Sequence, residues 1–162
     1  MRKPLEAVAL LAIAVLIWMT YGALYGPNRL PDRIPTHFDA AGNANGWGSP
    51  SLMILQPVIG IGVYLLLTVI SRFPSAFHYS VPTTPELLPR LQALTQSMLT
   101  LLKAELACLF AVLQWAFIRS ARTGEGHLFA YILPVVMVVI LGSVAWYIVG
   151  IFRCAALRGE SH

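Results

Sequence analysis

Two residues that could do chemistry, His37 and Asp39, lie two positions apart in the polar segment 30–50. Pro31 and Pro35 fix their own φ angles and push the residues before them toward extended conformations, so an extended arm is predicted here. In an extended chain, residues two apart share a face. We therefore expect His37 and Asp39 to form a polar contact that holds the turn after them.

A metal site or a catalytic site is the alternative for the same pair. His127, and with it Asp32, is predicted on the same side of the protein. Ligands from separate loops lack the diagnostic spacing of motifs such as CxxC or HExxH. The sequence also has no nucleophile–base pair and no carboxylate cluster. We predict no metal, no cofactor and no catalytic residue.

Lys103 and Glu105 form a second polar pair with the same spacing, inside a long apolar segment. On a helix two positions correspond to about 200°, so these side chains should not face each other. An ionisable residue in a membrane costs at least roughly 2.5 kcal/mol and marks a candidate functional position. The polar stripe of this helix comprises Gln92, Gln96, Thr100, Lys103 and Gln114. Two interpretations stay open: structural pairing or snorkelling of Lys103, and a path for an ion or substrate.

The chain around these residues is strongly apolar. Of its 162 residues, 57% are hydrophobic and 11% are charged, against about 25% charged in an average soluble domain. The net charge of +4 comes from residues scattered between apolar segments, which argues against nucleic acid as a partner. The composition predicts a membrane protein in contact with the lipid bilayer.

Four apolar segments reach the roughly 20 residues that a helix needs to cross a bilayer. They cover residues 5–25, 51–71, 91–118 and 128–152. Helices are expected because a spanning chain must satisfy its backbone internally. We predict an all-α integral membrane protein with one domain over 1–162, four transmembrane helices and one compact extracytoplasmic loop, 26–50, between helices 1 and 2. The first segment lacks a small-residue cleavage site, so we expect it to be retained.

The 26–50 loop is rich in residues that restrict or turn the backbone. Asn45-Gly46 is a strong tight-turn signal, and Gly42 lies among the turn formers before it. We expect the loop to be ordered and to fold back over the helix ends as a small hairpin. Phe38 and Trp47 are the expected anchors.

Charges and aromatic residues predict the orientation. Four spans place both termini on one side, and if that side is the cytoplasm it holds six basic residues against four in the outer loops, in the direction of the positive-inside rule. The six are Arg2, Lys3, Arg72, Arg90, Arg153 and Arg158. Six aromatic residues group at the opposite interface as an aromatic belt would: Trp18, Tyr21, Tyr25, Trp47, Trp115 and Tyr131.

The loop resembles a known family. Its pattern is Leu-Pro-x-x-Ile-Pro-x-His-Phe, then a glycine, then Gly-Trp-Gly-Ser before an apolar helix. This pattern is similar to the bacterial membrane family known as domain of unknown function 1648, which is related to the N-terminal part of SdpI-type immunity proteins. The matching residues are Leu30, Pro31, Ile34, Pro35, His37, Phe38, Gly42, Gly46, Trp47, Gly48 and Ser49. The resemblance implies a multi-pass protein of the bacterial cytoplasmic membrane, and it implies architecture rather than an activity.

Two functions remain open at this point. The first is a non-catalytic, immunity- or sensor-like module that binds a peptide, a lipid or a partner membrane protein through the outer loop. Its candidate binding residues are Pro31, Pro35, His37, Phe38, Asp39, Gly42 and Trp47. The alternative is a subunit of a transporter or channel, in which a homo-oligomer would enclose a path along the third helix. The intramembrane candidates are Gln96, Lys103 and Glu105.

The charge distribution generates a prediction about topology. A cysteine introduced at Asn43, in a chain whose Cys108 and Cys154 are replaced, should react with an impermeant thiol reagent added outside intact cells. The cysteine-free parent is the control. Labelling that appears only after cell lysis would place the loop in the cytoplasm and contradict the predicted orientation.

Overall fold

The computed structural model describes residues 2–39, 41–81 and 83–156 of the chain. These residues contain four α-helices: α1 Arg2–Tyr25, α2 Leu55–Ile70, α3 Leu88–Thr123 and α4 His127–Ala156. A 3-10 helix, Pro50–Ile54, leads directly into α2. Four helical segments are long and apolar enough to cross a membrane. The predicted four-helix membrane fold is confirmed, and the loop between α1 and α2 forms a two-stranded hairpin, as expected from its turn residues.

Helix α3 is the centre of the bundle and packs against the three other helices. With 36 residues it is about 54 Å long, well beyond the roughly 30 Å of hydrocarbon in a bilayer. It therefore extends past the apolar segment 91–118 at both ends. By contrast, the spanning part of α4 has no fully buried residue.

Helices α1 and α3 run parallel and form the largest interface between helices. Ala9 and Ala12 of α1 are buried against Ala104 and Ala107 of α3. Small residues spaced three apart on both helices let the backbones approach closely, which is how helices gain van der Waals contact where lipid offers no hydrophobic driving force. This alanine layer fixes the relative height of the two helices.

Strands β1, Ile34–Phe38, and β2, Ala44–Gly48, pair as the antiparallel hairpin. The hairpin packs on one end of the bundle, termed the hairpin end. There Leu30, Ile34 and Met53 are buried together with Ala23 and Ala121, which lie near the ends of α1 and α3. Leu30 and Ile34 precede Pro31 and Pro35, so the extended arm predicted from the prolines inserts its apolar residues into the bundle.

The turn between α3 and α4 closes on the hairpin. Gly124 ends α3 in the left-handed conformation, with φ of 79°, as glycine at this cap position commonly does. The Gly126 N–H donates to the Gly42 carbonyl at 2.9 Å, and Asn43 pairs with Glu125 as an antiparallel bridge. The hairpin is thus tied to helices from both halves of the chain.

The opposite, terminal end carries the first residues of α1, the last of α4 and the 71–87 loop. Val81 and Leu87 of this loop are buried with Leu91 at the start of α3, against Ile151 and Cys154 of α4. Five of the six basic residues expected on the cytoplasmic side lie at this end; Arg158 lies outside the described residues.

Gly126 generates a prediction about the hairpin. A Cβ at this position would overlap Cγ of the Phe38 ring. Because Cγ is bonded directly to the Phe38 Cβ, a rotamer change moves it little, and relieving the overlap requires a shift of β1. Gly126→Ala should displace the hairpin and speed tryptic cleavage after Arg33 in detergent several-fold. Gly142→Ala is the control, because its added Cβ has no neighbour within 4 Å. Equal cleavage rates in both variants would contradict the packing.

Candidate functional site

The strands of the hairpin are irregular around His37. Ile34 pairs with Gly48, but the register shifts on both sides of His37, which stands opposite Gly46. A Cβ on Gly46 would lie 2.9 Å from the His37 Cβ, so only glycine allows this close approach. Such irregularities re-aim side chains out of the regular alternation.

The structure gives His37 and Asp39 different partners, so the expected contact between them is wrong. His37 Nδ1 hydrogen-bonds Oδ1 of Asn45 across the hairpin. Asp39 Oδ1 accepts the backbone N–H groups of Asn43 at 2.8 Å and Ala41 at 2.9 Å. The acceptors of Asp39 are thus used by its own turn, as is common for an aspartate that closes a turn, and the irregular register directs His37 toward β2.

These bonds set the acidity of Asp39. Hydrogen bonds from the Asn43 backbone, and then from the Asn43 side chain and the Ala41 backbone, hold the pKa of the exposed Asp39 carboxyl below its usual value. The carboxylate form is therefore the one that stabilises the turn.

Glycine at position 42 is required for two reasons. Gly42 has φ of 83°, a region that residues with a Cβ rarely adopt. The His127 ring also lies against it: a Cβ there would be 2.7 Å from Nδ1. His127 therefore meets the turn of the hairpin, not His37. Among the described residues no three His, Cys, Asp or Glu side chains group as metal ligands.

The two expected anchors behave differently. Phe38 is half-buried and packs on Gly126, whereas Trp47 is 52% exposed, so its prediction as an anchor is wrong. In β2 exposure alternates, which points Asn45 and Trp47 outward. Pro31 is exposed and Pro35 is buried. The outward face of the hairpin thus presents one large aromatic ring beside the His37–Asn45 pair.

The intramembrane polar residues lie in a second place, along the seam between α1 and α3. Lys103 is 5% exposed, and its Nζ donates to Oε1 of Glu6 at 2.8 Å and lies 2.8 Å from Oε2. The Tyr64 hydroxyl of α2 donates to Glu6 Oε1 at 2.5 Å, and the Lys103 Nζ lies 5.2 Å from the Tyr64 ring centroid. A three-helix polar cluster therefore surrounds the buried charge.

Two further residues of the α3 stripe, Gln96 and Gln114, also bond α1. Gln96 accepts a hydrogen bond from Arg2, and Gln114, fully buried, donates from Nε2 to Thr20 Oγ1 at 2.9 Å. The bonded partners are 94 to 97 positions apart throughout, as parallel helices in fixed register require. Gln96, Lys103 and Gln114 of α3 thus serve the association of α3 with α1.

Glu105 points away from this seam. Its Oε2 lies 2.9 Å from the Ser143 hydroxyl of α4. It lines a cavity of about 310 Å³ between α1, α3 and α4 whose other lining residues are apolar or Cys108. Lys103 and Glu105 thus contact different helices, as expected from their spacing.

Sequence reasoning missed Glu6, Thr20 and Tyr64 as partners. The signal was present: Glu6 is the only acidic residue in α1 and Lys103 the only lysine in α3. The sequence does not show that Glu6 and Lys103 lie at the same level along the bundle. Helix α3 is longer than its apolar segment, and the apolar pattern does not reveal how far the helix extends at each end.

Comparison with known protein families concerns the hairpin and the two helices that flank it, α1 and α2. Residues 8–61 match the family model of a domain of unknown function, DUF1648. The predicted family resemblance is confirmed over this segment. The DUF1648 segment covers 54 of 162 residues and contains most of α1, the hairpin and the first part of α2. A search of the curated proteins and of the solved structures finds no match to the chain.

The Lys103–Glu6 pair generates a stability prediction. Glu6→Ala leaves the buried Lys103 with only Thr68 Oγ1 at 3.4 Å and the Tyr64 ring, and should cost about 3 kcal/mol of unfolding free energy in detergent. The double variant Glu6→Leu/Lys103→Met should lose less than the sum of its single changes, because no unpaired charge remains. Arg90→Ala serves as the exposed control. Additive losses would show that the two charges are not coupled.

Asp39 generates a prediction about pH. Because its folded-state pKa is lowered, the turn gains stability above the ordinary aspartate pKa and loses it as the pH falls through the lower folded value. The amide proton shifts of Ala41 and Asn43 in detergent micelles should therefore titrate with a midpoint below 3.8, the unperturbed value. Asp39→Asn should abolish the titration. A midpoint at or above 3.8 would contradict the bonded turn.

Proposed function

We propose that this multi-pass membrane protein is a non-catalytic binding module, immunity- or sensor-like, whose hairpin engages a peptide or the exposed loop of a partner membrane protein. The observation that carries the proposal is an exposed aromatic ring on a rigid support. Trp47 is 52% exposed, while the hairpin beneath it is fixed by buried Leu30 and Ile34. Aromatic residues on a pre-organised surface are typical binding hot spots.

The polar neighbours of Trp47 support the same role. His37 and Asn45 are exposed and bonded to each other, and Asp39 is held in its turn. These groups are ordered before binding, so a partner does not have to supply the entropy cost of fixing them. With the termini in the cytoplasm, as the charges predict, this surface would face the outside.

Transport along α3 has less support. A path needs polar groups that are free to contact an ion or substrate. Gln96 and Lys103 line an open depression at the terminal end, but both bond residues of α1, as does the fully buried Gln114. A path from the depression to Gln114 would therefore require α1 to separate from α3. Glu105 faces an apolar cavity on the other side of the helix.

An aromatic belt is the competing explanation for Trp47, and one experiment separates the two. A photoreactive phenylalanine analogue is placed at Trp47 or at Tyr131, which is 72% exposed at the same end of the bundle. We expect a discrete polypeptide adduct from position 47 in the native membrane and only lipid adducts from position 131. The adduct at 47 should be lost in the Gly126→Ala background while labelling at 131 continues. Lipid adducts alone at both positions would overturn the proposal.

A further inference from the structure

Arg2, at the terminal end, lines two neighbouring spaces of opposite character. The first is an open polar depression of about 330 Å³, lined by residues that include Arg2, Lys3, Glu6 and Lys103. The second is an apolar groove of about 530 Å³ between α1, α3 and α4. Both lie far from the hairpin, so the inference goes beyond the proposed function.

The depression has an excess of positive charge. Arg2, Lys3 and Lys103 contribute three cations against the single carboxylate of Glu6. Glu6 is already bound by Lys103 at 2.8 Å, which leaves the charges of Arg2 and Lys3 uncompensated within it. The Arg2 guanidinium has five donors, of which the bond to Gln96 uses one. The hydroxyls of Ser71 and Thr100 add polar groups to the lining.

The groove has the shape and chemistry for an acyl chain. Leu94, Met98 and Leu101 of α3 line it with Leu5 and Val8 of α1. Val8 also lines the apolar cavity that reaches Val112. Along α3 the groove extends from Leu94 to Leu101, seven helical positions or about 10 Å, which is most of the roughly 15 Å depth of one hydrocarbon leaflet.

We propose that the terminal end of the α1–α3 seam binds an anionic phospholipid, with its phosphate at Arg2 and Lys3 and one acyl chain in the adjoining groove. Charge complementarity selects the headgroup, because basic pockets between transmembrane helices bind anionic lipid headgroups. The apolar groove distinguishes a lipid from a soluble phosphate. The bound lipid bridges α1, α3 and α4, and so stabilises α4, whose spanning part, Tyr131–Ala156, has no buried residue.

The test uses the full chain in neutral detergent. Phosphatidylglycerol and phosphatidylcholine with identical acyl chains are compared by thermal unfolding and by native mass spectrometry. Phosphatidylglycerol should raise the unfolding temperature and stay bound, while phosphatidylcholine should do neither. Arg2→Gln/Lys3→Gln should weaken the apparent affinity for phosphatidylglycerol roughly thirtyfold, since each basic residue near an anionic lipid contributes about 1 kcal/mol.

Two controls make the result specific. Arg90→Gln/Arg153→Gln removes the same number of charges from the same end but from residues that do not line the depression, and should leave the affinity unchanged. Ser97→Phe fills the groove, where Ser97 is exposed, and should weaken lipid binding without removing a charge. Equal effects of the two lipids, or equal losses in both double variants, would overturn the proposal. Stabilisation by glycerol 3-phosphate at the same concentration would show a soluble-phosphate site instead.

Discussion

The close parallel packing of α1 against α3 is the constraint on which the rest of the structure depends. Lipid provides no hydrophobic force between helices, so contact must come from van der Waals packing and polar bonds. The buried alanines 9, 12, 104 and 107 supply the first. The bonds that Lys103 and Gln114 donate to Glu6 and Thr20, respectively, supply the second. Because the bonded pairs keep a nearly constant offset along the seam, neither helix can slide without breaking several contacts at once.

The hairpin takes its position from this seam. Ala23 of α1 and Ala121 of α3 lie at the same height, and Leu30, Ile34 and Met53 fill the space above them. The turn at Gly124 then brings Gly126 and His127 onto Phe38 and Gly42. Displacing any one of the helices that contact the hairpin would therefore also misplace the hairpin surface. The hairpin, which carries the family pattern, connects α1 and α2 but also packs against α3 and the start of α4, which lie outside the matched segment.

The sequence revealed those features that depend on local chemistry. Apolar length predicted the helices, and Pro31, Pro35 and Asn45-Gly46 predicted an ordered hairpin. The features that depend on register were not accessible: the shift at His37 separated it from Asp39, and the same hairpin turned Trp47 outward. The helical spacing of Lys103 and Glu105 correctly placed them on different faces, yet nothing in the pattern gave the length by which α3 projects. For this reason Glu6 was not matched with Lys103.

The energetics of the seam bear on which interpretation of the α3 stripe is the better one. A path along the stripe requires a state in which α1 withdraws from Lys103. Breaking a buried ion pair costs about 3–5 kcal/mol, so such a state would be populated at below about 1% unless something else bound the freed charge. The headgroup proposed at Arg2 and Lys3 would share its depression with Lys103 and Glu6. Because Arg2 and Lys3 carry the positive charges that Glu6 does not compensate, the headgroup can bind there without breaking the Lys103–Glu6 pair. Gln96, Lys103 and Gln114 are thus better explained as the attachment between two helices, and the surfaces that we propose for recognition are the hairpin at one end and the basic depression at the other.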